Sequence, residues 1–541
     1  MSVLGGIGKA YKSFRTGRRS ARNVRRAEQR LRHQQTLLDT ETTKFRREAV
    51  AVRGALLATH KAAEKNRLTD DWKATTKSAD DAIIQDSETL NARARAAVRD
   101  TWIGASAVRS FRRNVVGKDG ITVRSAARDP KTGKAYDEFN AGADRWWKWW
   151  GRDKLVCDIE RRKTFRQLEQ LVVSELRTVG EAFAIPIYKK QANMVGLMIQ
   201  MFAPEQLDTT LSRAPGGKNE IRGGIEIDKM GAAVAYHVKT VDYKSVRIPG
   251  ERVIHVFDQQ RVRQTRGVTP FRPVLVKAHH LGSYDEYQLI CARLEACIGG
   301  AIRTDSATND DDIGLALESG ESSQDSYGSE QIVMEPGMMP RLNAGESIDW
   351  NNPTRPGASY EKFSQAQMGM IAAGLGLDFA ALTRDYSKGN FSSQRQGMLE
   401  CNREFDDLLQ LMIEDFCVPV RQMFKMLCIL EGRIAAPGFL DDAEMRLIYL
   451  EDEWQGPARP WIDPLKAARA YEVAVKNRFM TRREVMNEQG RSIEDDLKQH
   501  ADEQELAKEL DVYLPDAEPP RPVAPAEPPA EPEKEPKKPA E

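Results

Sequence analysis

A chain of 541 residues has room for about two or three domains, each with its own core, and a formal net charge of +1 excludes a generic basic nucleic-acid binder. No run of about 18 consecutive apolar residues is present, and the opening MSVLGGIGKAYKSF sets basic residues after a weak, Gly-rich apolar run, so neither a transmembrane helix nor a secretory signal fits. Six cysteines in apolar or helical contexts, with no CxxC pair, are expected to be buried free thiols, and the protein to be soluble and intracellular when made.

The charge is unevenly spread. Between Lys9 and Arg32 ten basic residues meet one acid, Glu28, which suits a polyanion, a membrane surface or an acidic protein. Residues 1–70 are poor in large apolar side chains and read as an amphipathic helical arm or a partly disordered one; a solvated arm and a contact with DNA, scaffold or shell are equally open. From Asp70 or Asp71 a helical region starts, with Trp72 as its first large anchor. Over 87–111, Leu90, Ala94, Ala97, Val98, Trp102 and Val108 form a buried stripe and Arg93, Arg95, Arg99, Arg109, Arg112 and Arg113 the outer face. Gly117 and Gly120 bracket a turn into a short strand at Ile121 and Val123.

Trp146, Trp147, Trp149 and Trp150 share one broad helical face, a packing unit before it is a base-stacking or ammonium-binding cluster. A helix over 164–178, capped by Gly180, is predicted to cover it. From Glu181 the period changes to short apolar runs separated by turns, which predicts an antiparallel sheet with hairpins. Glu226 and Asp228 have no histidine or nucleophile beside them, so a catalytic carboxylate pair is not expected. His237 and His255 read as core imidazoles, and the adjacent His279 and His280 diverge on a helix.

Val253, Ile254, Val256 and Phe257 predict a buried strand, after which Arg261, Arg263 and Arg266 crowd a loop ending in Gly267, Pro270 and Pro273. An apolar stripe from Val274 through Leu281, Tyr284, Cys291 and Ile298 predicts a helix of about 30 residues, roughly 45 Å long, with Gly282, Gly299 and Gly300 as possible bends. Residues 304–329 are acidic and nearly without core, a flexible insertion followed by strands at QIVM and SIDW. A second apolar helix is predicted over 363–374, with Phe363, Met370 and Ile371 on one side. Residues 375–390, with Gly374, Gly376 and Gly389, interrupt the helices as a mobile loop. A long helix runs from Phe391 to about Glu431, started by Ser392 or Ser393 and kinked at Pro419; its packing face includes Met398, Cys401, Phe405, Leu408, Phe416 and Phe424. A further helical region occupies 463–490, and the last residues hold ten prolines after Leu514, a disordered tail.

No P-loop, zinc spacing, GxSxG, HExxH or dinucleotide fingerprint occurs; GGIGKAYKS superficially resembles a phosphate loop but lacks the preceding strand and the spacing. No catalytic, cofactor-binding or metal site is therefore expected. The ordered motifs LNARARAAVRD, NVVGKDGI, GEAF, GIEIDKMGAAVAYHV, IHVF, QTRGVTPF and DYSKGNFSSQRQGMLECNREF together resemble the portal proteins of tailed bacteriophages, the lambda-like family, with gaps from about Trp72 to about Gly432.

That resemblance implies an α+β portal fold assembled as a ring, twelve copies in the particle. Its parts would be a basic arm (1–70), a wing of helices and antiparallel sheet (71–270), a first stem helix (271–303), a clip (304–358), a second stem helix returning antiparallel to the first (359–374), a tunnel loop (375–390), a long wing helix (391–432), a C-terminal wing and crown region (433–514) and a tail (515–541). It also implies a non-enzymatic DNA conduit at one capsid vertex, active in genome packaging, head-tail connection and ejection. The partners would be double-stranded DNA, a terminase large subunit, head-completion protein, and major capsid and scaffold proteins. In that frame Arg384 and Lys388 in the loop, and Lys277 and Arg293 on the stem, become candidates for sequence-independent phosphate contacts, and Arg261, Arg263 and Arg266 for assembly. The alternative class is another head-tail structural or scaffold protein that binds DNA nonspecifically.

Overall fold

The computed structural model describes residues 76–512 except 192, 214–218, 241, 243, 298–299, 305–321, 325–329, 333–345, 351–359, 388, 460–462 and 492, together with the isolated residues 44 and 67. The chain divides into two compact units, Met1–Ser78 and Ala79–Glu541, and the elements below belong to the second. The expected basic arm, the Trp72 anchor, most of the acidic insertion and the Pro-rich tail lie outside the described residues.

Two helices, α1 (Ala79–Asp100) and α2 (Trp102–Val115), stand where one was expected over 87–111. Thr101 takes extended backbone, φ −119° and ψ 143°, and its hydroxyl caps α2 by accepting the Gly104 N–H at 3.2 Å. Gly104 lets the chain double back tightly, since a Cβ there would lie 2.4 Å from the Ala97 carbonyl oxygen. The break restarts the helical phase. Ala94, Val108 and Phe111 face the core, whereas Trp102, expected in the stripe, is 47% exposed.

Gly117 and Gly120, both at positive φ, turn the chain into β1 (Thr122–Ser125), as the sequence predicts. In α3 (Asp137–Arg152) the tryptophans divide by position: Trp150 is fully buried and donates its indole N–H to the Leu197 carbonyl at 2.7 Å, Trp147 packs edge-on to Phe165 and Phe424, and Trp149 is largely exposed. The covering helix α4 (Phe165–Thr178) opens with the Gln167 side-chain oxygen accepting the Thr164 N–H at 2.9 Å.

The predicted hairpins are present as two antiparallel sheets. One has the order β3-β2-β8, from β2 (Glu181–Tyr188), β3 (Leu197–Phe202) and β8 (Ile254–Phe257). The other is a meander of β4 (Glu220–Arg222), β5 (Ile225–Ile227), β6 (Ala233–Lys239) and β7 (Ser245–Pro249). Asp228 closes the β5–β6 turn by accepting the N–H groups of Met230, Gly231 and Ala232, each at 2.8 Å. Phe183, Leu207, Ile225 and Tyr236 form a small core between the sheets, separate from the main helical core.

The helix α5 (Leu275–Cys297) is shorter than expected. Paired glycines follow it, and the chain has already become a strand, β9 (Gly300–Thr304), by the second of them. Short strands β10 (Ser322–Gln324) and β11 (Glu330–Ile332) pair with each other, and β12 (Glu346–Trp350) pairs with β9. After α6 (Tyr360–Gly374), the segment expected as a mobile loop instead folds over its first half. Leu375, Leu377 and Leu382 are buried, α7 (Phe379–Thr383) is capped by Asp378, and Ser106 and Ser110 donate to the Leu382 and Ala381 carbonyls at 2.6 and 3.1 Å.

Asn390, rather than Ser392 or Ser393, caps α8 (Phe391–Met412), accepting the Ser393 N–H at 2.8 Å; Met398, expected on the packing face, is 41% exposed. The irregularity expected at Pro419 takes the form of a π turn, Ile413–Cys417, immediately before α9 (Val418–Leu430). Beyond come α10 (Ala443–Leu450), β13 (Asp452–Gln455), α11 (Pro464–Lys476), α12 (Arg482–Glu488) and α13 (Ile493–Glu509). β13 is the antiparallel partner of β1, with Thr122 opposite Gln455 and Ser125 opposite Asp452.

Candidate nucleic-acid interface

α5 and α6 form an antiparallel pair, legible from four contacts in which one residue number rises as the other falls. A Cβ at Gly374 would meet Val274 at 2.5 Å, Lys277 Nζ lies 2.9 Å from Met370 Sδ, the rings of Tyr284 and Phe363 stand 5.4 Å apart, and the Tyr360 hydroxyl donates to Asp285 at 2.9 Å. Val274, Ala278 and Leu281 with Ile371 and Ala372 bury the root of the pair in the main core. Away from the root the apolar character persists without burial: Tyr287 is 66%, Leu289 62% and Phe363 48% exposed.

The candidate cations fall in different settings. Lys277 is half-buried against Met370, and Arg293 is exposed toward the far end of α5. Arg384 is exposed as the C-cap of α7, in left-handed backbone at φ 61°, and the neighbouring Asp385 carboxylate accepts from the Ser387 N–H and hydroxyl at 3.0 and 2.6 Å. Lys388 lies outside the described residues.

Among the loop arginines, Arg261 and Arg263 are exposed on a tight turn built around the buried Gln264. Its side-chain oxygen accepts the Gln260 and Arg261 N–H groups at 3.0 and 3.1 Å, and its amide donates to the Arg266 carbonyl at 2.8 Å. Arg266 belongs to a different environment from the other two. It is 3% exposed, spans both oxygens of Glu181 at 3.0 Å through Nε, and donates Nη1 to the Gly223 carbonyl at 3.0 Å. The Gly267 N–H and His255 also meet the Glu181 carboxylate, at 2.8 and 3.3 Å. Burial alone would raise the Glu181 pKa, but Arg266 and His255 override it and hold the carboxyl down at about 2. Arg266 is thus a structural clasp between β2, β8 and the β4–β5 turn. His255 lies in that clasp, stacked between Phe183 and Phe257, as its apolar strand suggests.

A second buried charge group escaped sequence reading. Arg421 and Lys425, one helical turn apart on α9, are fully buried: Arg421 reaches Asp144 at 2.6 Å, Lys425 reaches Asp452 at 2.8 Å, and Lys425 also donates to the Tyr449 and Glu451 carbonyls at 3.0 and 2.9 Å. Burial is the largest influence on Lys425 and brings its pKa down to about 8 despite Asp452. These bonds fasten the β13 end of the chain to the core. Among the described residues no group of His, Cys, Asp and Glu is arranged to hold a metal, and no helix is long and apolar enough to cross a membrane.

Comparison with known proteins gives these features a common setting. The model of the family described as phage portal protein, lambda family, matches residues 65–408. A probable portal protein of Halomonas phage phiHAP-1 is 26% identical over 474 residues, covering 85% of this chain and 89% of the relative. Portal protein B of Escherichia phage lambda is 25% identical over 430 residues, covering 73% and 79%. Among solved structures, a chain in the neck of an empty gene transfer agent particle aligns with a TM-score of 0.42 and 12% identity over 75% of this chain and 94% of that one. With the family model spanning more than half of its length, the chain belongs to the lambda family of phage portal proteins.

Proposed function

We propose that this chain assembles as a closed ring, twelve copies in the particle, that forms the DNA channel at one capsid vertex and serves packaging, head-tail connection and ejection. The observation that carries the reading is the α5–α6 pair: a buried root followed by a stretch whose tyrosine, leucine and phenylalanine side chains face outward. Apolar surface of that kind on a helix pair is stabilised by burial against another copy, and a repeated heterologous contact closes into a ring when its rotation allows. Family membership supplies the rest. In this frame α5 and α6 are the stem, 304–358 the clip, 375–390 the tunnel-loop region and the remaining helices and sheets the wing and crown. DNA, terminase, head-completion protein and capsid and scaffold proteins are the partners.

Channel cations contact the phosphate backbone without reading bases, because a duplex that slides needs contacts made and released easily. Mass measurement and negative-stain imaging of the purified chain test the ring, and only folded monomer across micromolar concentrations overturns it. For the cations, replacing Arg384 and Lys388 together with alanine should leave rings intact and lower packaged DNA, and glutamate at both should lower it further. Wild-type DNA content in both variants moves the contact to Lys277 and Arg293.

A further inference from the structure

Arg384 has two neighbours that the sequence does not place beside it. A pocket of about 500 Å3 opens between α2, α7 and the first turns of α8, and Arg113, Arg384 and Arg395 line it, one from each element. No hydrogen bond or ion pair to another described residue engages any of the three guanidinium groups. That sets them apart from Arg95, Arg222, Arg266 and Arg421, each of which sits on a carboxylate. The single acid on the wall, Asp378, is committed to capping α7, accepting the Ala380 N–H at 3.0 Å. The rim is fixed as well: Gln394 donates its amide to the Tyr386 carbonyl at 2.8 Å, and Arg384 is held in left-handed backbone with its N–H on the Ala380 carbonyl at 2.8 Å.

Three cations around one concavity repel one another, and the lone Asp378 carboxylate on the wall relieves only part of that repulsion. A phosphate relieves the rest best among common anions, because its oxygens match the guanidinium fork bidentately and its charge meets several arginines at once. We propose that this pocket binds a phosphate group, presented either by a nucleic-acid backbone or by a small soluble phosphate compound. The proposal does not depend on the ring: Arg113 and Arg395 lie outside 375–390 and have no part in the channel reading.

The test uses the full chain at low salt in phosphate-free buffer, with inorganic pyrophosphate as the titrated probe. The expected result is saturable binding that weakens with added salt. Arg113→Gln and Arg395→Gln should each weaken it at least about tenfold, and Arg113→Lys should retain part of it, since charge survives and the fork does not. Unchanged circular dichroism keeps the variants interpretable. A short duplex that displaces pyrophosphate identifies the backbone as the source, and a duplex that fails to displace it identifies a small soluble phosphate. Absence of saturable binding to the wild-type chain, or equal affinity in both glutamine variants, overturns the proposal. So does a loss of oligomer mass in those variants without any pyrophosphate binding by the parent, which assigns the arginines to a carboxylate of a neighbouring copy.

Discussion

Single buried groups in this protein carry testable consequences because the interior gives them so few partners. Glu169 on α4 is 1% exposed; burial, opposed only partly by the Ile121 N–H at 3.2 Å and by Cys417 at 3.9 Å, pushes its pKa up to about 8. A carboxyl whose folded pKa lies above its unfolded value stabilises the fold while both states are protonated and loses that contribution as pH rises toward the folded pKa. Between the ordinary carboxyl range and about pH 8 the wild-type chain should therefore lose stability relative to Glu169→Gln, at no more than about 1.4 kcal/mol per pH unit, and the difference should level off above that. Paired thermal melts from pH 5 to 9 measure it, and a constant difference across the range refutes the assignment. Arg266 gives the complementary lesson about reading residues. QTRG looks like a surface loop, and the acid that draws the arginine inward stands far back in the chain at the start of GEAF. An isolated acid opening an apolar strand was the one signal available, and it does not say which cation answers it.

At the scale of elements, periodicity was a good guide wherever one face of a segment meets one core. The antiparallel sheets, α4 with its cap and the turn at Gly117 and Gly120 all follow from patterns within a few residues, whereas the antiparallel return of α6 was implied by the family resemblance. What stayed hidden depends on neighbours distant in sequence. Thr101 breaks a helix whose stripe looks continuous, because Gly104 can approach Ala97. Residues 375–383 fold because Ser106 and Ser110 donate to the Leu382 and Ala381 carbonyls and hold the segment against α2, although its glycines read as a flexible loop. The three-arginine pocket is assembled from three separate elements and has no local motif. The exposed face of α5 yields its own expectation. Replacing Tyr287 and Leu289 with lysine removes apolar side chains that association would bury, each worth about 1.5–3 kcal/mol, so subunit contacts should weaken at least about tenfold while helix content stays unchanged. Mass photometry across a dilution series reads this out, and undiminished assembly places the subunit contacts elsewhere.

For the whole molecule, a net charge of +1 conceals an N-terminal stretch in which ten basic residues meet one acid. Deleting residues 1–32 should leave the thermal transition of the unit that begins at Ala79 nearly unchanged and reduce DNA binding at low salt, with a shallower dependence of affinity on salt than the intact chain shows. Equal DNA binding with and without those residues makes the charge run a solvated face. The pairing of β1 with β13 has a different reach. Thr122 can find Gln455 only after the intervening helices and sheets have been synthesised, and Lys425, unlike Arg421 with its Asp144 partner, meets its carboxylate only once Asp452 has left the ribosome. A nascent chain cut short before that point keeps an unpaired strand and an uncompensated lysine in an unfinished core. Such a truncated product is expected to be cleaved by proteases faster than the full chain, because its C-terminal seam never closes.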